Sequence, residues 1–312
     1  MKIQIAIGSA VIIAVGALQA VSRLRLQRGP SRDSWSRLVF GHRGCRETPG
    51  IPENTIEAFE HAAKGGCHGI ELDVRLTKDK RLVVFHDPTL SPMLEGAPND
   101  AAHISDFTLS QLKAMHYRDD TAGGIVIPTL EETLTFCMKH NLKVLIEVKE
   151  RRDLDTMLDA LLALYDELGA DFMYENTMTI CFDPIFLYKL RWRNPRIATG
   201  QLFCGRVPVS WLQEHPVSFW LRVMNRKVLD WLLSFTATVV APRMSGVSAL
   251  LPKYDMFNPQ LLSAANSLNL CVLLWGFPLS MDPSCAVTTH MKSFGVSTII
   301  DGQYSEFLLL LK

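Results

Sequence analysis

Short apolar runs alternate with longer helical patterns along most of this chain, beginning at residue 38. That order is typical of repeated β-α units, in which each strand is followed by a helix and the strands form a parallel sheet. We predict eight strands, at residues 38–41, 69–74, 81–86, 143–148, 178–182, 197–202, 238–241 and 271–275. Eight units of this kind favour an α/β fold of the TIM (β/α)8 barrel type, which commonly takes about 250 residues.

Helical patterns fill the intervals, at residues 55–64, 130–140, 154–168, 184–193 and 259–268. Asp153 and Asp183 suit the N-cap position of two of these helices, while Pro184 and Pro259 suit a first helical turn. Segments at about 90–128 and 203–235 interrupt the alternation and are predicted to be insertions in one barrel domain over residues 37–312. The second insertion is rich in aromatic and basic residues. Its composition favours packing against the barrel, with a membrane surface or an acyl-chain pocket as alternatives.

An apolar segment precedes the barrel. Residues 3–21 are 19 amino acids without a charge, and a helix of that length approaches the roughly 30 Å hydrocarbon core of a bilayer. We predict a single-pass transmembrane anchor within residues 1–26, in an endomembrane or the plasma membrane. Arginines that follow the segment weakly favour a cytosolic barrel. A cleaved signal peptide ending near Ala20 and a buried core helix are the alternatives.

The charge balance and the cysteine pattern argue against several classes of protein. The chain has 32 Lys and Arg against 32 Asp and Glu, so its formal net charge of zero gives no support for a nucleic-acid partner. Its 7 cysteines form no CxxC pair, which argues against a zinc knuckle and a disulfide scaffold. Nothing in the composition identifies a protein partner.

Three acidic residues lie near the ends of predicted strands. Glu71 and Asp73 are two residues apart on the second predicted strand, so their side chains project from the same face. Glu147 lies near the end of the fourth predicted strand. Active sites of barrels form where the carboxyl ends of the strands meet, so we expect the three carboxylates to converge there. Such carboxylates repel each other unless a cation lies among them, and oxygen ligands suit a hard divalent ion such as Mg²⁺ or Ca²⁺.

Two basic residues and two histidines lie at the same predicted edge. His42 and Arg43 follow the first strand, His86 ends the third, and Lys149 follows the fourth. Guanidinium and ammonium groups bind phosphate oxygens, so Arg43 and Lys149 indicate an anionic, phosphate-containing substrate. His42 and His86 can act as general acid and base near neutral pH. The combination predicts phosphoryl-transfer chemistry.

The motifs of this edge resemble those of the glycerophosphodiester phosphodiesterase family. They are His42-Arg43-Gly44, Pro52-Glu53-Asn54-Thr55, Gly69-Ile70-Glu71-Leu72-Asp73-Val74, Thr77-Lys78-Asp79, Val84-Phe85-His86-Asp87 and Ile127-Pro128-Thr129-Leu130-Glu131-Glu132. The resemblance is dense over residues 38–150 and thinner beyond them. The apolar segment ahead of the barrel is similar to that of the membrane-associated eukaryotic type 1 members.

The resemblance implies a TIM barrel of the phospholipase-C-like phosphodiesterase type. It also implies metal-dependent hydrolysis of a glycerophosphodiester to glycerol 3-phosphate and an alcohol, in glycerophospholipid metabolism. The metal would be Mg²⁺ or Ca²⁺, and the sequence leaves open which histidine is the acid and which the base. In this scheme the metal ligands are Glu71, Asp73 and Glu147, the general acid and base are His42 and His86, and the phosphate-binding cations are Arg43 and Lys149.

Departures from the family pattern leave the substrate open. The stretch after Asp87 reads Pro-Thr-Leu-Ser-Pro rather than an Arg-Thr-Thr-Gly-like sequence, and Gly-Phe-Pro follows Trp275, a candidate residue of the substrate pocket. A more apolar rim favours a lipid-like substrate, so a lysophospholipase D that releases lysophosphatidic acid is an alternative. A phosphoinositide phospholipase C is another, although it does not predict all three carboxylates. A catalytically silent membrane scaffold is the alternative from a different class.

Overall fold

The computed structural model describes residues 16, 20, 32–46, 48–121, 123–150, 152–204, 241–278 and 295–301. The strands within these residues are β1 Val39–Gly41, β2 Gly69–Leu76, β3 Leu82–Val84, β4 Leu94–Glu95, β5 His116–Tyr117, β6 Lys143–Val148, β7 Thr177–Cys181, β8 Ala198–Phe203, β9 Ala249–Pro252, β10 Cys271–Leu274 and β11 Ser297–Ile300.

Eight of these strands form a closed parallel barrel. Their order is β1-β11-β10-β9-β8-β7-β6-β2, and β1 pairs in parallel with both β11 and β2, which closes the sheet. β3 pairs antiparallel with β2, outside the parallel set, while β4 and β5 form a separate hairpin. The predicted TIM barrel is confirmed. Because its strands are parallel, their carboxyl ends all lie at one end of the barrel.

Helices alternate with the barrel strands. They are α1 Ile56–Lys64, α2 Leu109–Lys113, α3 Leu130–Lys139, α4 Leu154–Glu167, α5 Ala170–Asn176, α6 Pro184–Arg193, α7 Ala241–Ser245 and α8 Pro259–Ser267, with short 3₁₀ helices at Arg32–Trp35, Ile104–Asp106 and Tyr254–Met256. Asp153 and Asp183 accept hydrogen bonds from backbone N–H groups of α4 and α6, and Pro184 and Pro259 begin α6 and α8, as predicted. These caps satisfy donors that have no partner within the helix.

Two apolar layers hold the barrel together. Side chains from round the sheet, including Phe40, Leu145 and Leu251, fill the interior, and a larger layer lies between the strands and the helices. Trp35 stacks on Phe40 with ring centroids 6.1 Å apart. The ammonium of Lys143, at the start of β6, lies 4.7 Å from the centre of the Trp35 ring. Trp35 therefore packs at the amino-terminal end of the barrel, opposite the end where polar groups collect.

The third predicted strand is not part of the barrel. Leu82–Val84 form β3, which turns back from β2 and pairs with it antiparallel. In the connecting turn Lys80 has a left-handed backbone, with φ of 61°. The prediction of a barrel strand at residues 81–86 is therefore wrong, and β6 is the third barrel strand rather than the fourth. A short apolar run is compatible with either direction of pairing, which is why the sequence did not reveal this hairpin.

Two later barrel strands were not predicted. Ala241 begins α7 instead of ending a strand, and residues 238–240 lie outside the described residues, so the strand predicted at 238–241 is not the one that completes the barrel. β9 and β11 complete the barrel instead of the strands predicted at residues 81–86 and 238–241. β9 ends in Pro252, and β11 begins with the buried hydroxyl residues Ser297 and Thr298. β9 is an apolar run of only four residues that ends in proline, and half of β11 is hydroxyl residues. Neither strand therefore has the longer apolar run that predicts a parallel strand.

The predicted insertions at 90–128 and 203–235 and the predicted anchor lie only partly within the described residues. Residues of the 90–128 segment form a small core with Val83 and Phe85, among them Leu90 and Ile104. The 203–235 segment lies outside the described residues after Cys204, and so does the predicted anchor apart from residues 16 and 20. No helix among the described residues has both the length and the apolar character needed to cross a membrane.

Gly44, in the turn after β1, provides a test of how tightly this turn packs on α1. Its φ is +81°, and a Cβ there would lie 2.7 Å from the Ala58 carbonyl carbon. Gly96 has a φ of +80° but open space around it. Gly96→Ala should cost about 1–2 kcal/mol of unfolding free energy from backbone strain alone, whereas Gly44→Ala should lose about 1–3 kcal/mol more through the clash. Urea unfolding of both variants measures the difference, and equal losses would contradict the close packing.

Candidate active site

Three carboxylates meet at the carboxyl end of the barrel. Glu71 and Asp73 lie on β2 and Glu147 on β6, and the parallel register sets Asp73 beside Glu147. One oxygen of each residue lies within 4.8 Å of the others. All three side chains are buried, with exposed fractions of 2, 1 and 7%. The structure thus brings together the three acidic residues that the sequence singled out, and their mutual repulsion requires compensating positive charge.

Two cations lie against these carboxylates. The Lys149 ammonium is 3.2 Å from Asp73 Oδ1 and 2.5 Å from Glu147 Oε1. Arg43 Nε is 3.4 Å from Asp73 Oδ2. Both predicted phosphate-binding cations are therefore next to the acidic cluster, where they neutralise much of its charge.

The pKa values of Glu71 and Asp73 are shifted in opposite directions. Burial, together with repulsion from Asp73 and Glu147, raises the pKa of Glu71 well above its usual value. Burial would also raise the pKa of Asp73, but Lys149 and Arg43 outweigh it and lower that pKa. Burial disfavours the charged form of Lys149, yet Glu147 and Asp73 outweigh it and raise the pKa of its ammonium. Glu71 is the member of the cluster that needs further positive charge.

The donor set fits a hard divalent cation. Glu71 Oε1 is buried and has no hydrogen-bond partner within the described residues. Glu71, Asp73 and Glu147 offer only carboxylate oxygens, the ligands preferred by Mg²⁺ and Ca²⁺. These three residues could hold such an ion, and its charge would stabilise the ionised form of Glu71.

Each predicted catalytic histidine has a carboxylate on its Nδ1. His42 Nδ1 lies 2.7 Å from Asp301 Oδ1, and His86 Nδ1 lies 2.7 Å from Asp87 Oδ1. His42 Nε2 lies 3.8 Å from Glu71 Oε2, on the side of the carboxylate cluster. The hydrogen bond with His86 lowers the pKa of Asp87. A histidine held through one ring nitrogen leaves the other nitrogen to exchange a proton, so both side chains can serve as acid or base.

Two left-handed residues fix the loops of the site. Arg43 and Asn54 have φ of 50° and 59°, and Asn54 N–H donates to the Arg43 carbonyl at 2.9 Å. Arg43 N–H in turn donates to Glu71 Oε2 at 3.1 Å. The Asn54 amide donates to Asp73 Oδ2 at 2.8 Å and accepts from Asp73 N–H at 3.2 Å. These bonds compensate the backbone strain, about 1–2 kcal/mol for each left-handed residue, and bind the loops to β2.

Some residues of the site have no role in the sequence-based prediction: Glu53, Asn54, Arg75, Asp87 and Asp301. Glu53 accepts from Arg43 Nη1 at 2.7 Å, and Arg75 donates to the His86 carbonyl through Nε and Nη2 at 2.9 and 2.6 Å. Glu53, Asn54 and Asp87 lie within the motifs that carry the family resemblance, so a signal for them was present. Asp301 lies in a stretch, Ile300-Asp301-Gly302, that stands where the family usually has Thr-Asp-Tyr-Pro. Its contact with His42 was not predicted, because the strand before it was not predicted.

Trp275 lies on another part of the rim. It follows β10, the seventh barrel strand in chain order, and not the last strand. Its indole N–H donates to the Leu251 carbonyl at 2.9 Å, and Phe182 meets its ring edge-on, with centroids 5.9 Å apart. The structure therefore places Trp275 with another aromatic side chain, and its described contacts do not include the carboxylates.

Replacing Asn54 with Asp should destabilise the site. Asp tolerates the left-handed backbone, but its carboxylate would repel Asp73 instead of donating to it, at a cost of about 1–3 kcal/mol. Asn141→Asp is the matched control, because Asn141 is exposed and has a φ of 52°. Urea unfolding at neutral pH should show the loss for Asn54→Asp and a change within about 0.5 kcal/mol for the control. Equal midpoints for the two variants would show that the Asn54 amide does not stabilise Asp73.

Known proteins resemble this chain in sequence and in fold. Residues 42–301 match the model of the glycerophosphoryl diester phosphodiesterase family. Glycerophosphodiester phosphodiesterase 1 of Mus musculus is 30% identical over 266 residues, which span 81% of this chain and 75% of that protein.

Solved structures share the fold, among them two phosphodiesterases of bacterial origin. An Oleispira antarctica phosphodiesterase, solved in complex with the product sn-glycerol-3-phosphate, gives a TM-score of 0.66 at 20% identity, over 89% of this chain and 98% of that one. Glycerophosphodiester phosphodiesterase from Agrobacterium tumefaciens gives 0.63 at 20% identity, over 87% and 99%. The sequence match over most of the chain shows that it belongs to the glycerophosphoryl diester phosphodiesterase family.

Proposed function

We propose that this protein hydrolyses glycerophosphodiesters to glycerol 3-phosphate and an alcohol, with a divalent metal ion as cofactor. The observation that carries the proposal is the buried cluster of Glu71, Asp73 and Glu147, with a histidine that bears its own carboxylate partner close to Glu71. The named activity of the mouse relative and the product bound to the Oleispira antarctica structure support the substrate class.

The metal ion would be Mg²⁺ or Ca²⁺, held by the three carboxylates. When bound, such an ion supplies positive charge that polarises the phosphoryl oxygens. Arg43 and Lys149 lie beside the same carboxylates and would bind the remaining phosphate oxygens. Their raised pKa values keep both side chains positively charged, since the neighbouring carboxylates outweigh the effect of burial.

The two histidines would carry the protons of the reaction. One accepts a proton from the attacking oxygen, which is that of water or of the substrate's neighbouring glycerol hydroxyl, as the new P–O bond forms. The other donates a proton to the leaving alcohol oxygen as the old P–O bond breaks. If the glycerol hydroxyl attacks, the first product is a cyclic phosphate, and water then forms a new P–O bond as the ring P–O bond breaks. Either route consumes one water and gives glycerol 3-phosphate and the alcohol. His42 and His86 are the candidates for these two roles.

A second candidate function is lysophospholipase D activity, and the apolar part of the rim favours it. The register of β6 and β7 pairs Glu147 with Ile180, so Phe182 follows β7 at the level where Lys149 follows β6. Phe182 packs on Trp275 and is 39% exposed, and Ile185 in the next turn is 65% exposed. An apolar surface beside the phosphate site suits an acyl chain. The same bond would be cleaved, with lysophosphatidic acid as the product.

A catalytically silent scaffold is the remaining alternative, and the site argues against it. Burying three carboxylates with two cations is costly, and replacing such a cluster with apolar residues is often neutral or stabilising. An interaction scaffold gains nothing from that cost. A hydrolase does gain from it, because the buried charges bind the phosphate of its substrate.

The apolar segment at residues 3–21 is proposed as a single-pass membrane anchor, in an endomembrane or the plasma membrane. Its support is the sequence, a run of 19 residues without charge. A cleaved signal peptide is the competing interpretation, and an anchor predicts that the intact N-terminus remains with the membrane fraction after carbonate extraction.

Metal removal and loss of a histidine should each lower the activity by at least about 100-fold. Release of glycerol 3-phosphate from glycerophosphocholine should fall by about 100-fold or more after EDTA treatment and return with Mg²⁺ or Ca²⁺.

His42→Ala should lower kcat by about 10²–10⁴-fold while circular dichroism remains unchanged. Full activity in EDTA would contradict the metal cofactor, and full activity of the folded variant would contradict the role of His42.

The apolar rim can be tested with paired substrates. Phe182→Ser should lower the rate on lysophosphatidylcholine by about 10- to 100-fold, because the acyl chain loses an aromatic contact, and should change the rate on glycerophosphocholine by less than about 2-fold. Trp192→Ser is the control, an aromatic residue that is 42% exposed near the other end of α6. Rapid hydrolysis of glycerophosphocholine alone by the wild-type protein would exclude the lysophospholipase D alternative.

A further inference from the structure

The carboxylate of Asp301 lies between two basic side chains of the first loop. Its Oδ1 is 2.7 Å from His42 Nδ1, and its Oδ2 is 3.4 Å from Arg46 Nη1. The Asp301 side chain is only 7% exposed, and that of His42 is 17% exposed. The contact with His42 is therefore short, shielded from solvent and held from a second side by Arg46.

Closure of the barrel brings Asp301 to this position. β11 pairs with β1 in parallel, with Ile300 opposite Gly41, and His42 N–H donates to the Ile300 carbonyl at 2.9 Å. Asp301 and His42 are thus the residues that directly follow two adjacent paired strands, although 259 positions separate them in the chain. Because the backbone on both sides is part of the sheet, the geometry of this pair is set by the fold and not by a flexible loop.

The contact determines which nitrogen of His42 faces the site. A carboxylate accepts a hydrogen bond but cannot donate one, so His42 Nδ1 must carry the proton of this contact. In the neutral ring, Nε2 is then the nitrogen with the free lone pair. Nε2 is also the nitrogen directed to the carboxylate cluster, 3.8 Å from Glu71 Oε2. Without Asp301, either tautomer and a rotated ring would be accessible, and fewer molecules would present the reactive nitrogen.

We propose that Asp301 is a positioning residue that acts on catalysis through His42. The inference rests on the hydrolytic function proposed above. Asp301 holds the ring with Nδ1 protonated and Nε2 toward the carboxylate cluster, and it stabilises the imidazolium that forms when His42 accepts a proton. A carboxylate that orients a catalytic imidazole in this way acts mainly on the chemical step and not on substrate binding.

The second histidine has a different kind of support. Asp87, which contacts His86, is its neighbour in sequence, and the two side chains are 32 and 28% exposed. The Asp301–His42 pair is more deeply buried and joins the first and last strands of the barrel. A purely structural role for Asp301 in closing the barrel is therefore the competing explanation that an experiment must separate.

A double-mutant cycle separates the two explanations. Asp301→Asn keeps the size of the side chain and removes the charge. It should lower kcat on glycerophosphocholine by about 10- to 100-fold, with KM within about 2-fold. In a His42→Ala background the same substitution should change kcat by less than about 2-fold, because Asp301 then has no imidazole to position. The activated diester bis(4-nitrophenyl) phosphate keeps the slow double variant measurable.

An exposed aspartate on the same side of the barrel provides the control for the loss of a carboxylate charge. Asp255→Asn should leave kcat unchanged, since Asp255 lies in the 3₁₀ helix after β9, is exposed and contacts Lys253 at 3.6 Å. Equal losses from Asp301→Asn in both backgrounds, an undiminished kcat, or a variant that does not fold would each overturn the positioning role. Absence of activity in the wild-type protein, or an active His42→Ala variant, would instead refute the proposed function.

Discussion

The burial of three carboxylates at one end of a closed barrel is the constraint on which the rest of the site depends. Lys149 and Arg43 compensate two of the three negative charges and leave Glu71 with a raised pKa. A divalent cation would reverse the balance, so that the cluster carries a net positive charge. Such a cluster attracts a singly charged phosphodiester. The arrangement that is costly for folding is thus one that would bind an anionic substrate.

The fold supplies the rigidity that this balance requires. The carboxylates lie on strands that are paired on both sides, and apolar packing at the other end, centred on Trp35, stabilises the barrel without occupying the site. The loops that complete the site contain strained residues, Arg43 and Asn54, which are held by hydrogen bonds to the β2 carboxylates. The same groups therefore hold the loops and form the acidic cluster, so stability and function are coupled there.

The sequence predicted the parts of the site that depend on local spacing. Glu71 and Asp73 share a face because strand side chains alternate, and that rule requires no knowledge of the fold. The Asp301 contact depends on β11, a strand of four residues that includes buried Ser297 and Thr298. Parallel strands are buried on both faces and lack an alternating pattern, so short ones are hard to distinguish from loops. The role of Asn54 was missed for another reason, because it depends on a left-handed backbone that residue type alone does not specify.

The rim is divided between two kinds of surface. β11, β1, β2 and β6 lead to charged residues that hold one another through ion pairs and hydrogen bonds, and changing one disturbs the others. β7 and β10 lead to Phe182 and Trp275, which touch each other edge-on. Their mutual contact is apolar, and Phe182 is 39% exposed, so substitution of Phe182 costs little stability. Substitutions in the apolar part of the rim can thus alter which group on the phosphodiester is accepted, while the charged part keeps the chemistry of the bond constant.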